Sequence, residues 1–320
     1  MKTLTIWGTG SGMSNALKRI DKIQYQVLAL SDNDKTKWGR IYEGIKVLEP
    51  KEWVKVKADY IIIASRSYKE IITQLSNKYG MSLNNIYDSA TFFQLIYCEA
   101  GHRAYLENND LYKFYVNGKH NEMEKWFHYF DIYDTYFHRY RGKKITICEI
   151  GVFKGGSLKM WKNYFGPDVT VIGIDINPNC RQYEENGIIV EIGSQEDKQF
   201  WKYIKDKYPQ IDILIDDGGH TMEQQILTFE EMFAHISSPG IYMCEDTHTS
   251  YWEKYDGGYL NRNTFIEYSK DIIDNINAWH SETEELNVNY YTNWIKGMHF
   301  YDSMVVVEKE NRTFPFCLIK

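Results

Sequence analysis

Several things are scarce in these 320 residues. There are 6 prolines and 5 cysteines, and no apolar run approaches 18 residues. Without such a run, no helix of the chain is expected to span a membrane. The cysteines (Cys98, Cys148, Cys180, Cys244, Cys317) are odd in number and widely scattered. That pattern argues against a disulfide framework or a zinc site and fits a reduced cytoplasm. Basic charge is also short: 37 Lys+Arg face 44 Asp+Glu, for a net charge of −7. A dedicated nucleic-acid binder is usually basic, so nucleic acid is not an expected partner. The opening MKTLTIWGTGSG has neither the apolar core nor the small-residue cleavage site of a secretory signal. No low-complexity tract or internal repeat stands out.

Aromatic residues, by contrast, are plentiful: 16% of the chain, including 26 Tyr and 9 Trp. A disordered chain would be poor in them. They fit either codon bias or faces on which sugars stack, and composition by itself favours the former. At about 150 residues per domain, the length suggests two domains.

The pattern along the chain agrees. Thr3–Trp7 reads as a strand followed by Gly8-Thr9-Gly10-Ser11-Gly12, then a helix to about Asp21. Gln26–Leu30 and Ala58–Ser65 read as two more strands, and 67–79 as a helix with Gly80 just past its end. Residues 97–143 have a helical pattern, dense in aromatics and charges, and read as a connector or cap. From Lys144 the strand–helix alternation resumes, with strands at Ile145–Ile150, Val169–Asp175, Ile188–Ile192, Ile211–Asp217 and Gly240–Asp246. Ser303–Glu308 is expected as an antiparallel edge strand. The expectation is α/β throughout: a small Rossmann-like domain (1–96), a helical connector (97–143) and a doubly wound domain (144–320). Ligands of the last should sit beyond the carboxyl ends of its strands.

The chemistry-bearing residues fall at those ends. The segment from Glu149 through Gly151, Gly155 and Gly156 to Ser157 joins a strand to a helix, where free N–H groups are available. Such a turn can also be purely structural. Asp175 ends the next strand, 24 residues after Gly151, where an acid can accept hydrogen bonds from ribose hydroxyls. Ser194 and Gln195, after the third strand, are placed for adenine contacts or are simply a polar loop. The spacing is not G-x-G-x-x-G, which weakens a phosphate cradle. Two acidic strand ends are more specific: Asp216-Asp217-Gly218-Gly219-His220 and Glu245-Asp246-Thr247-His248. Parallel strands bring these carboxylates together, and clustered acids need a proton or a cation. Asp217, Glu245 and Asp246 suit Mg²⁺, and His220 suits proton removal near neutral pH. His248, Tyr251 and Trp252 follow directly and could face an acceptor; ordinary packing explains them as well.

These motifs carry a resemblance. EIGVFKGGSLKMW (149–161), VIGIDI (171–176), IDDGGH (215–220), CEDTHTSYW (244–252) and HFYDSMVVVEK (299–309) resemble class I S-adenosylmethionine-dependent methyltransferases. More narrowly they are similar to the Mg²⁺-dependent sugar O-methyltransferases of macrolide biosynthesis. The resemblance implies Asp217, Glu245 and Asp246 as metal ligands and His220 as general base. It implies Glu149, Gly151, Gly155 and Asp175 at S-adenosylmethionine. That family carries a helical auxiliary region where this chain has α/β residues 1–95, so contacts drawn from that region do not transfer. Residues 1–95 resemble the small nucleotide-binding-like domains attached to glycan-modifying enzymes, through IWGTGSG (6–12), LSDND (30–34), the turn at Gly44–Val47 and ADYIIIAS (58–65). Gly8, Gly10, Gly12 and Asp32 are its nucleotide-site candidates. Only three strands are clear there, and Met13 stands where a third fingerprint glycine would be.

The resulting expectation is a cytoplasmic, Mg²⁺-dependent O-methyltransferase acting on a sugar-containing small molecule or glycan precursor. Homo-oligomerisation is compatible with it. The rival readings are a catechol-type phenolic O-methyltransferase and a nucleotide or nucleotide-sugar binding protein led by the first domain.

Overall fold

The computed structural model describes residues 1–97, 108–116 and 121–319. Cys98 and the parts of the expected connector at 98–107 and 117–120 lie outside the described residues. The chain divides into two compact units, Met1–Leu106 and Glu107–Lys320.

The first unit is built on β1 (Lys2–Trp7), β2 (Tyr25–Ser31), β3 (Ile41–Tyr42), β4 (Ile45–Leu48), β5 (Tyr60–Ile63) and β6 (Ile86–Asp88). They form a sheet in the order β3-β4-β2-β1-β5-β6, parallel except for the β3–β4 pair. Central β1 and β5 are fully buried at Ile6, Trp7, Ile62 and Ile63, as parallel strands covered on both faces must be. Six strands therefore stand where three were expected. Ile45–Leu48, read as part of a turn, is a strand, and the turn proper is Glu43-Gly44, with φ of 48° and 82°. Strands of two to four residues carry too little alternation to be read as a period. Helix Ser11–Arg19 follows the glycine turn, and helix Tyr68–Tyr79 ends at a left-handed Gly80 (φ 65°), as expected.

The second unit contains β7 (Thr146–Ile150), β8 (Thr170–Asp175), β9 (Ile188–Ile192), β10 (Ile211–Asp216), β11 (Ile236–Glu245), β12 (Ile295–Tyr301) and β13 (Met304–Lys309). Their order is β12-β13-β11-β10-β7-β8-β9. β13 runs antiparallel between β11 and β12, so it is not at the edge; β12 is. Its run Val305-Val306-Val307 is wholly buried, which an edge strand would not need. The helix Tyr129–Phe137, expected as connector, is part of this unit's core: Tyr129, Phe130, Tyr133 and Phe137 are buried, and Tyr133 meets Trp161 edge-on at 5.0 Å. Each such ring contributes about 1.5–3 kcal/mol by leaving water. The chain runs outward from β7 through β8 to β9, then restarts at β10 on the other side of β7. That reversal opens a crevice at the carboxyl ends of β7 and β10, the usual ligand position in a doubly wound sheet.

Candidate active site

A cleft of about 360 Å³ occupies that crevice. Gly151 and Ser157 line one side of it, Asp175 another, and Asp217, His220, Glu245 and Asp246 its floor. The backbone is shaped for this. Asp217 N donates to Ile150 O at 3.1 Å, tying the end of β10 to the end of β7. Gly151 has φ 93°, and a Cβ there would lie 2.0 Å from Asp217 O, so only glycine permits this approach. His220 and Asp246 also hold left-handed conformations (φ 60° and 53°), uncommon for such residues and typical of strained functional positions. Thr221 caps the following helix, Met222–Met232, through a capping box with Gln224, which fixes His220 immediately before the cap.

Asp217, His220 and Asp246 present donor atoms within 4.8 Å of one another. His220 Nε2 stands 4.0 Å from Asp217 Oδ1 and 3.8 Å from Asp246 Oδ2, too far to hydrogen-bond either. Its Nδ1 is buried with no hydrogen-bond partner. Two hard carboxylates with room between them fit a divalent cation of the Mg²⁺ type. Glu245 is held differently. Tyr133 donates to its Oε1 at 2.6 Å, and Lys125 to its Oε2 at 3.1 Å.

Lys125 was not singled out in the sequence, yet it stands among the acids. Its Nζ lies 2.6 Å from Asp217, 3.1 Å from Glu245 and 3.2 Å from Glu149. Burial works against its ammonium, but the Asp217 and Glu245 charges outweigh that and raise its pKa. Burial pushes the Glu245 carboxyl well up, with the Asp217 charge adding to it and Lys125 opposing. Tyr129 OH donates to Asp246 Oδ1 at 2.8 Å. Lys125 lies in the irregular segment before the helix Tyr129–Phe137, and Tyr129 and Tyr133, four residues apart, share one face of that helix.

The expected cofactor residues separate into two groups. Asp175 lines the cleft, and its Oδ2 accepts from Val152 N (3.0 Å) and Phe153 N (3.2 Å), which fixes the glycine turn. Gly155 (φ 74°) and Gly156 open the helix Gly156–Phe165. Glu149 is fully buried and accepts from Ser157 Oγ at 2.6 Å. Gln195 points inward: it donates to Asp216 and Thr228, both at 3.1 Å, and accepts from Gly219 N at 3.0 Å. Its amide holds the Asp217–His220 loop, and Gln195 is not among the residues that line the cleft. Ser194 Oγ accepts from Glu196 N at 3.2 Å.

Comparison with known proteins finds sugar O-methyltransferases. The chain is 33% identical over 189 residues to mycinamicin VI 2''-O-methyltransferase of Micromonospora griseorubida, covering 55% of this chain and 47% of that protein. It is 30% identical over 190 residues to demethylmacrocin O-methyltransferase of Streptomyces fradiae, again 55% and 47%. The solved structure of MycE methyltransferase from the mycinamycin biosynthetic pathway, in complex with Mg and SAH, superposes with a TM-score of 0.57 at 30% identity, covering 63% and 54% of the two chains. The second unit is a class I methyltransferase fold. The chain spans about half the length of the curated relatives it matches. Residues 1–87 match the family described as C2185-like, N-terminal.

From Trp126, which lines the cleft, the aromatic rings form a row. Trp126 meets His248 at 5.7 Å, His248 meets Trp252 at 4.5 Å, and Trp252 meets Tyr255 at 6.1 Å. Tyr255 in turn lies 6.4 Å from His220. His248 Nδ1 pairs with Ser303 Oγ, so its ring is fixed within the row. Tyr251 is half exposed and outside it. Trp126 lines the cleft and was missed in the sequence because it sits in the presumed connector.

The glycine turn of the first unit differs from that of the second. Gly8 and Gly12 are close-packed, each Cβ position lying 2.7 Å from Ala64 O, while Gly10 faces open space. Asp32 Oδ2 accepts from Thr9 N (3.1 Å), Thr9 Oγ1 (2.5 Å) and Lys37 Nζ (3.1 Å), and its Oδ1 accepts from Asp34 N (2.9 Å). Asp175 Oδ1 likewise accepts a backbone N–H, from Asn177 at 2.8 Å, so what sets Asp32 apart is its pairing with the Thr9 hydroxyl and the Lys37 ammonium.

Proposed function

We propose that this protein is a divalent-metal-dependent O-methyltransferase that moves the methyl group of S-adenosylmethionine to a sugar hydroxyl. The acceptor is a glycosylated metabolite, nucleotide sugar or glycan precursor, in the last case for polysaccharide biosynthesis. The observation that carries this is the meeting, in one crevice, of the Gly151–Asp175 turn with Asp217, His220 and Asp246. The relatives' names, which specify sugar O-methylation, support it.

In this reading Asp175, Gly151 and the amides opening the helix Gly156–Phe165 hold the methyl donor. Asp217 and Asp246 hold Mg²⁺, with Glu245 behind them. The ion, when bound, lowers the pKa of an acceptor hydroxyl. His220 takes the hydroxyl proton at Nε2, the nitrogen that faces both carboxylates and bonds to neither. Trp126 and Trp252 offer flat apolar faces to a sugar ring at the cleft mouth. Most of the rate gain comes from holding donor and acceptor in line. The first unit serves assembly or substrate presentation. Among the described residues no helix is long and apolar enough to cross a membrane. The cytoplasmic setting rests on the donor, which cells make there.

The test is methyl transfer from radiolabelled S-adenosylmethionine to a panel of nucleotide sugars, glycosides and a catechol. Sugar labelling that EDTA abolishes and Mg²⁺ restores is expected. Labelling of the catechol alone overturns the sugar reading, and labelling indifferent to EDTA overturns the metal reading.

A further inference from the structure

Four carboxylates crowd together at the cleft: Asp217, Glu245 and Asp246 line it, and Glu149 lies behind, 3.2 Å from Lys125 Nζ. Two of them, Glu149 and Glu245, are cut off from water. Left alone they would repel and take up protons or stray cations. The Lys125 side chain is 2% exposed, and its three N–H donors match three of these acids, at 2.6, 3.1 and 3.2 Å. It takes Asp217 by Oδ2. Oδ1, the oxygen nearer His220, is left on the side where Asp246 Oδ2 also lies. Tyr129 and Tyr133, four and eight residues on, hold Asp246 and Glu245 in the same way. One segment thus reaches four acidic residues delivered by three strands.

We propose that Lys125 is the fixed internal cation of the site, a positioning residue that orients Asp217 and Glu245 and limits the cluster to one divalent ion. The Lys125 ammonium already meets Glu149, Glu245 and Asp217 Oδ2, so only the side shared by Asp217 Oδ1 and Asp246 Oδ2 is left for a cation, which is a place for one divalent ion. This rests on the reading of Asp217 and Asp246 as metal-holding residues.

The experiment is calorimetric titration of the free, full-length protein with Mn²⁺, in the wild type, Lys125→Met, Lys125→Arg and the double variant Lys125→Met/Glu149→Gln. The wild type should take one ion. Lys125→Met should bind Mn²⁺ about tenfold tighter or more, because a positive charge a few ångströms away is gone. Its methyl transfer should nevertheless fall, since Asp217 is no longer held. Lys125→Arg, which keeps the charge, and the double variant, which removes one charge of each sign, should return to within about threefold of wild type. A side chain that merely packs would leave affinity unchanged or weaken it, so a folded Lys125→Met with wild-type or weaker Mn²⁺ affinity overturns the proposal. If Lys125→Met does not fold, the other two variants decide: wild-type affinity supports the proposal, and a loss beyond tenfold overturns it. A wild type that takes up no Mn²⁺ overturns both this and the metal reading. A wild type that binds Mn²⁺ and methylates sugars, beside an unaltered Lys125→Met, overturns this proposal alone.

Discussion

Two glycine turns in this chain look alike in sequence and do different things. Each follows a first strand and precedes a helix, and each has an aspartate 24 residues after its first glycine: Gly8 with Asp32, Gly151 with Asp175. Both aspartates accept backbone N–H bonds from their own turn. The difference lies in what else reaches them. Asp32 is also captured by the Thr9 hydroxyl and the Lys37 ammonium. Among the described residues Asp175 is paired with no such cation, and it lines an open cleft. The facing strand ends differ as well. Ala64 packs against the first turn, whereas Asp217, Glu245 and Asp246 stand beside the second. A glycine turn with a distant acid is therefore a scaffold; neighbouring strands decide whether it becomes a site.

This comparison can be broken in stages. Asp217→Asn should cut methyl transfer by about 10⁴-fold, the scale of losing several kcal/mol of metal assistance, while Asp32→Asn changes it less than about twofold. Equal losses in the two would show that the first unit shares the chemistry. His220→Ala should cost about 10³-fold in rate with the affinity for S-adenosylhomocysteine intact. Lost cofactor binding instead would remove its assignment as base. Asp175→Ala should weaken S-adenosylhomocysteine by about 10–100-fold in calorimetry, the cost of charged hydrogen bonds, and Asp32→Ala should not weaken it. Gly151→Ala should destabilise the protein by about 2–4 kcal/mol in urea unfolding, because its Cβ has no room and its φ is positive. Gly10→Ala, with nothing within 4 Å of its Cβ position, should stay within about 0.5 kcal/mol.

The smallest effect is on pH dependence. Burial pushes the Asp32 carboxyl up, but hydrogen bonds from Thr9, the Asp34 amide and Lys37 outweigh that and hold its pKa below the usual aspartate value. A lowered folded pKa contributes stability above about pH 4 that is lost as pH falls through the folded value. Asp32→Asn should therefore narrow the drop in melting temperature between neutral pH and about pH 3. An unchanged drop would mean that Asp32 is not held as described.

Much of this molecule was legible from local pattern. The buried runs of β7, β8, β10 and β11 alternate with helices, and the acids at their ends are sequence-adjacent to the turns that display them. Gly80 and Gly151 were readable because a left-handed turn or a close approach demands glycine. The short strands β3 and β6 were not, since two or three residues show no period. Gln195 was misplaced toward the ligand because a polar residue after a strand can face either way; the buried Asp216 and Thr228 drew it inward. Lys125 and Trp126 escaped because their segment has no strand end or glycine to mark it.

By itself, then, the sequence determined the alternation of strands and helices, the two glycine turns, and the placing of Asp217, His220 and Asp246 at strand ends. These follow from periodicity and backbone sterics, which act over a few residues. Tertiary structure alone decided that Asp32 is paired with Lys37 while Asp175 lines a cleft, that Gln195 braces a loop, and that Lys125, Tyr129 and Tyr133 reach into the acids. Those outcomes depend on charges and hydrogen bonds between residues as many as 120 positions apart, which only the packed fold brings within 3 Å or so.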